Sequence, residues 1–162
     1  MLALLATVMF GACETQRYTE QSPEIDIAKQ VIEGYVSNDY SVHNDVYSDT
    51  VKIYYNSEKS ITLAEAIEGF KQQLEYFADI KFDDDISYEF VTTDEGKQWV
   101  GWWGMWRAKF KMTGQEFAIP VHVSAQFVNG KIVEEWGYWD NQPIADAIAK
   151  QAATEAETAV EE

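Results

Sequence analysis

His122 is one of only two histidines in the chain, and on a strand it has Glu116 and Glu134 near it across the flanking hairpins. A carboxylate that orients an imidazole in this way makes a general base. Strand parity turns His122 to the outer face, however, which favours a surface or dimer-contact residue. His43, in a short helix, reads as a surface residue. Glu134, Glu135 and Asp140 lie along the last strand, and only one parity set of them faces inward. The alternation alone does not say which. Asp140 with Tyr55 is the carboxylate–phenol pair that an acid–base enzyme would use. Asp83-Asp84-Asp85 lacks the spaced ligands and glycine of a calcium loop and reads as a solvated turn. No metal and no cofactor is implied.

All six tryptophans, Trp99, Trp102, Trp103, Trp106, Trp136 and Trp139, fall within one stretch of 41 residues. Aromatic surface gathered so densely on a sheet either walls an apolar pocket or offers one face to a partner.

The elements that would position these residues are legible from period and punctuation. Ser22-Pro23 starts a helix, with serine as cap and proline in the first turn. Ile27, Val31 and Tyr35 give it an apolar stripe, and Asn38-Asp39 ends it. A short helix over 42–47 precedes a strand over 51–55. Thr62-Leu-Ala-Glu65 has the form of a capping box. Leu63, Ile67, Phe70, Leu74 and Phe77 follow on one face of a helix reaching about residue 78. From there the period changes to two. Strands over 86–92, 99–112, 116–128 and 131–140 are joined by turns at Asp94-Glu-Gly96, Thr113-Gly114 and Asn129-Gly130, which predicts four antiparallel strands in sequence. The segment 14–22 is polar and aperiodic, as a tether would be. Residues 143–162 form an acidic tail that is helical or disordered.

Alternation separates the faces of the two long strands. Phe117, Ile119, Val121, Val123, Ala125 and Phe127 must face the helices, as must Val100, Trp102, Trp106, Ala108 and Phe110. The opposite face carries Trp99, Trp103 and Met105, a patch too apolar to leave bare on a monomer. A homodimer built sheet to sheet around these three is expected.

The sequence carries 28 acidic against 12 basic residues, a formal charge of −16, which disfavours nucleic acid and anionic lipid as partners. Met1 to Cys13 is too short an apolar run to cross a bilayer. Its end, Phe10-Gly-Ala-Cys13, resembles a bacterial lipoprotein signal, in which the cysteine is lipidated. Cys13 is the only cysteine, so it has no internal disulfide partner. The resemblance implies a lipid-anchored protein of the bacterial cell envelope, on the periplasmic side or exported, that meets the membrane only through that anchor.

The order of elements, with Asn44-Asp-Val-Tyr-Ser-Asp-Thr-Val-Lys-Ile-Tyr54 and Phe127-Val-Asn-Gly-Lys-Ile-Val-Glu-Glu-Trp136 through Asp140, resembles the nuclear-transport-factor-2-like superfamily and its SnoaL-like members. The likeness spans about residues 25–142. It implies an α+β fold in which a curved antiparallel sheet wraps around helices as a cone, with a pocket at its open end. Dimers through the outer face of the sheet are common in such proteins. The family's isomerases and cyclases place their acid–base residues at positions that correspond here to Val31, Tyr55 or Asn56, and Val123. Valine cannot take a proton, so the resemblance does not carry that mechanism over. Organisation is therefore expected as a signal over 1–13, a tether over 14–22, a SnoaL-like domain over 23–142 and the tail. The pocket would be lined by Tyr35, Tyr55, Phe70, Leu74, Trp102, Trp106, Val123, Trp136 and Tyr138. The leading expectation is a non-catalytic binder of a small apolar or aromatic molecule; the alternative is an isomerase, polyketide-cyclase-like or dehydratase enzyme using a pocket carboxylate and a tyrosine.

Overall fold

The computed structural model describes residues 17–161, with side chains to residue 154, so Cys13 lies outside the described residues. In chain order the elements are β1 (Tyr18–Thr19), α1 (Pro23–Ser37), α2 (Ser41–Val46), β2 (Tyr47–Tyr55), α3 (Leu63–Tyr76), β3 (Phe77–Phe82), β4 (Ser87–Thr92), β5 (Gln98–Phe110), β6 (Glu116–Val128), β7 (Lys131–Trp139) and α4 (Gln142–Glu161). They form a mixed α+β fold with a curved, unclosed sheet folded over a few helices as a cone.

The helix signals act where the sequence places them. Ser22 caps α1 by accepting from the Ile25 amide, and Asn38 closes it in the left-handed region at φ 57°. Thr62 and Glu65 satisfy each other's backbone amides at the start of α3. The meander β4–β5–β6–β7 is antiparallel throughout, with Gly96, Gly114 and Gly130 at positive φ in its turns.

Three features depart from the sequence expectation. The α3 helix stops at Tyr76, and Phe77 begins β3, which pairs antiparallel with the carboxyl-terminal half of β5. Phe77 continues the helical spacing of Leu74 by coincidence, and no glycine or proline marks the change, so pairing with β5 overrides the local pattern. The expected tether contains β1, whose Tyr18 and Thr19 pair with Val91 and Phe90. The β2 strand begins at Tyr47 rather than Val51 and lies parallel to β7 at the sheet edge, which a hairpin-based reading cannot see. The tail is a helix over most of its length, and its Ala147 is buried against the sheet.

The sheet order is β1-β4-β5-β6-β7-β2, with β3 sharing an edge of β5 with β4. Two apolar clusters fill its concave side. One joins Ile25, Ile32, Ile53, Val100, Trp102, Val123, Phe127 and Ile132; the other joins Phe77, Trp106, Phe110, Phe117, Ile119 and Ala147. The two meet around a cavity. Among the described residues no helix is long and apolar enough to cross a membrane.

Candidate active site in the cone

The cavity has a volume of about 130 Å³ and is walled by side chains from α1, α2, β2, α3, β3, β5, β6, β7 and α4. Its exposed lining residue, Asn141, together with half-buried Ile144, puts the mouth beside the start of α4.

Glu135 is the carboxylate in its wall, 5% exposed. Tyr47 Oη donates to Glu135 Oε2 at 2.5 Å and Tyr55 Oη donates to Oε1 at 2.6 Å. These contacts join residues 88 and 80 positions apart and arise from the parallel pairing of β2 on β7. Burial pushes the Glu135 carboxyl above its ordinary range, and the two phenol hydrogen bonds pull it back in part. Burial, and then the Glu135 charge, push both phenols well above the usual tyrosine value. A carboxylate whose proton affinity is raised, with two neutral donors on it, has the chemical form of a general base with its own electrophiles.

A bulge in β7 puts Glu135 there. Ile132 pairs with Phe127 but Glu134 pairs with Gln126, so Val133 is an extra residue on this strand. The alternation set by inward-facing Ile132 is thereby shifted, and Glu135, Gly137 and Trp139 face the cone. Gly137 is required by what it faces: a Cβ there would lie 2.7 Å from the Tyr55 ring and 2.8 Å from the Trp139 ring. Backbone without a side chain lets Tyr55 lie flat against β7 and reach the carboxylate.

A second polar chain crosses the cavity. Trp106 Nε1–H donates to Tyr35 Oη at 2.9 Å, and Tyr35 Oη donates to Gln73 Oε1 at 2.7 Å. Burial raises the Tyr35 phenol well above its ordinary value, so it stays a neutral donor. Phe70 packs edge-on against Tyr35 and tilted against Tyr55, filling the space between the two polar groups.

Of the expected pocket residues, Tyr35, Tyr55, Phe70, Trp102, Trp106 and Val123 line the cavity. Leu74, Trp136 and Tyr138 do not. Leu74 is half-buried on α3 away from the cavity, and its carbonyl takes the Lys111 ammonium. The bulge turns Trp136 and Tyr138 to the outer face, where Trp136 stacks on Tyr54 at 3.9 Å and Tyr138 is 49% exposed. Asp140 is exposed, outside the wall, and its carboxylate accepts from the Gln142 amide at the start of α4. His122 lies on the outer face, stacked on Trp103 at 4.5 Å, with Nδ1 3.1 Å from the Trp102 carbonyl oxygen. His43 is not a surface residue: it is 1% exposed and lies in the cavity wall. Short α2 turns it under α1, where Gly34 leaves room for the ring. Asp83, of the acidic triplet, is held in a bidentate ion pair by Arg107 at 2.6 and 2.8 Å.

Sequence reasoning passed over Tyr47 and Gln73, placed His43 on the surface, and left Glu135 undecided between the two faces of its strand. The usable signal was Glu134-Glu135 inside an otherwise apolar strand, since adjacent residues face opposite ways and one carboxylate had to point inward.

These features define a class, a cone-shaped α+β domain of the nuclear-transport-factor-2-like kind with a ligand-sized pocket inside its sheet. The chain belongs to the SnoaL-like polyketide cyclase family, whose model matches residues 25–148. Solved structures of the same fold include AclR from Streptomyces galilaeus, which is 17% identical with a TM-score of 0.60 over 78% of this chain and 96% of that one. IdmH from Streptomyces antibioticus, a candidate polyketide cyclase, is 17% identical with a TM-score of 0.59 over 74% and 94%. PrhC from Penicillium brasilianum is 16% identical with a TM-score of 0.61 over 82% and 90%. Comparison with curated proteins returns no significant match.

Proposed function

We propose that this domain binds a small carbonyl compound in the cone and moves a proton on it, an isomerase- or cyclase-type activity with Glu135 as the base. The observation that supports it is the Tyr47–Glu135–Tyr55 cluster in the wall of an apolar cavity. The valine at position 123 argued against catalysis only while no other inward carboxylate was known. Glu135 lies two residues along the neighbouring strand from Gly137, the residue that pairs with Val123.

In this scheme Glu135 takes the proton from the carbon next to the carbonyl. The C–H bond breaks, an O–H bond forms on Glu135, and the electron pair moves to the carbonyl oxygen as an enolate. A protonated carboxyl accepts less well than a carboxylate, so one phenol is freed to turn its hydrogen toward the enolate oxygen. Return of the proton to a different carbon completes an isomerisation.

A second reading rests on the same contacts. Both Glu135 oxygens already accept a phenol, so the cluster also suits a satisfied polar wall in a binding module without catalysis. Conversion of cyclohex-3-enone to cyclohex-2-enone separates the two. Catalysis predicts a rate above buffer that falls about 10²- to 10⁴-fold in Glu135→Gln. A rate unchanged by that substitution, with ligand binding retained, leaves the binding module.

We further propose that two copies pair through the outer sheet face around Trp99, Trp103 and Met105, supported by a Trp103 that is 43% exposed and, across His122 in the same register, a Tyr138 that is 49% exposed. Cys13 would anchor the chain by lipid to a bacterial membrane, supported by the Phe10-Gly-Ala-Cys13 sequence. Radiolabelled palmitate that fails to enter the protein in cells, or that enters a Cys13→Ser variant equally, ends the anchoring proposal.

A further inference from the structure

His43 is a buried imidazole with no hydrogen bond. It is 1% exposed, and neither Nδ1 nor Nε2 has a partner among the described residues. The ring is held by packing instead: it lies parallel on Tyr47 at 5.8 Å and 1°, and Tyr40 meets it edge-on at 5.3 Å. A Cβ on Gly34 would come within 3.1 Å of its Cε1, so the helix is cut away to admit it. A buried donor or acceptor left unpaired costs on the order of 1–3 kcal/mol. The ring forms part of the cavity wall but both nitrogens are covered, so a molecule inside the cavity supplies the missing partner once the ring turns toward it.

Volume and electrostatics narrow that molecule. An apolar cavity of about 150 Å³ takes up benzene, and this one measures about 130 Å³. It therefore holds about one ring. Burial pushes the imidazole down to about 4, so near neutrality it carries one N–H and one free lone pair, the complement of an oxygen function. The Glu135 carboxyl in the same wall and the formal charge of −16 repel an anion. Both oxygens of Glu135 are engaged by tyrosines, whereas neither nitrogen of His43 has a partner among the described residues.

We propose that His43 is the polar contact for a neutral, single-ring molecule bearing a hydroxyl or carbonyl oxygen. This rests on the cone being the binding site, as in the reading above, but not on Glu135 being catalytic. In that reading the oxygen held by His43 is the one that receives charge, and a neutral imidazole donates to it as an electrophile.

The test is binding to the full-length chain, followed by tryptophan fluorescence and by ¹⁵N NMR of labelled histidine. Phenol should bind and move the His43 nitrogen resonances, while toluene, benzoate and 1-hydroxypyrene bind more weakly or not at all. His43→Phe should weaken phenol by roughly five- to tenfold, the worth of one neutral hydrogen bond, and leave toluene unchanged. If that variant does not fold, the wild-type NMR result decides. Several outcomes overturn the proposal: phenol saturating the fluorescence without moving His43, benzylammonium binding more tightly than phenol, hydroxypyrene matching phenol, or no probe binding at millimolar concentration. Loss of the enone reaction with phenol binding intact sinks only the catalytic reading, and the reverse sinks only this one.

Discussion

Ile132 and Glu135 stand three residues apart on β7 and both face the cone, because Val133 between them is an extra residue with no partner on β6. Regular alternation would put residues an odd number apart on opposite faces. The bulge thus exchanges Glu134, Trp136 and Tyr138 for Glu135, Gly137 and Trp139 on the inner surface, and so decides which carboxylate the cavity holds.

The raised proton affinity of Glu135 has a consequence for stability. A carboxyl that binds its proton more tightly folded than unfolded contributes stability that is present below the unfolded value and lost as pH rises through the folded one. Urea unfolding of wild type and Glu135→Gln across pH 3–8 should show the wild type losing ground to the variant as pH rises. Parallel stability curves would mean that Glu135 is not buried as a carboxylate.

His43 acts in the opposite sense. Its folded value of about 4 lies below the ordinary 6.5, so its contribution is present above 6.5 and lost as pH falls toward 4. The full effect is on the order of 3 kcal/mol. A ¹⁵N titration should find His43 still neutral at pH 6 and charging only near pH 4. A His43 that charges near 6.5 contradicts the burial.

Tyr47→Phe and Tyr55→Phe each remove a donor from a buried carboxylate. Each should cost about 1.5–3 kcal/mol, and the double variant should depart from additivity because both phenols share one acceptor. Chemical denaturation of the three variants checks this. Additive losses under 0.5 kcal/mol would show that the contacts do not form.

Gly137→Ala places a methyl group where the Tyr55 and Trp139 rings lie. Overpacking of this kind costs about 1–3 kcal/mol. The Tyr55 ring resonances should shift, and phenol binding should weaken through the displaced ring. An unperturbed Tyr55 would mean that the strand yields instead.

The outer face gives an oligomer prediction. Wild type should sediment as a dimer at micromolar concentration and Trp103→Arg as a monomer, with the cavity unaffected. A wild-type monomer with solvent-quenched Trp103 rules out the sheet-to-sheet pair.

What could be read without coordinates was local. The Ser22 and Thr62 caps, the Asn129-Gly130 turn and the inward set of β6 from Phe117 to Phe127 are each written within a few residues, because capping, turn chirality and strand period act at that range. Together with the element order they determine the α+β class and the aromatic lining from Trp102 and Trp106. Other features needed distant partners. Phe77 became a strand because β5 was there to pair with it, and Tyr47 met Glu135 because β2 joined β7 in parallel. The identity of the buried carboxylate turned on one unpaired residue, Val133, whose position depends on the register between two strands rather than on its own side chain. Register is a relation between segments, and only the folded sheet decides it.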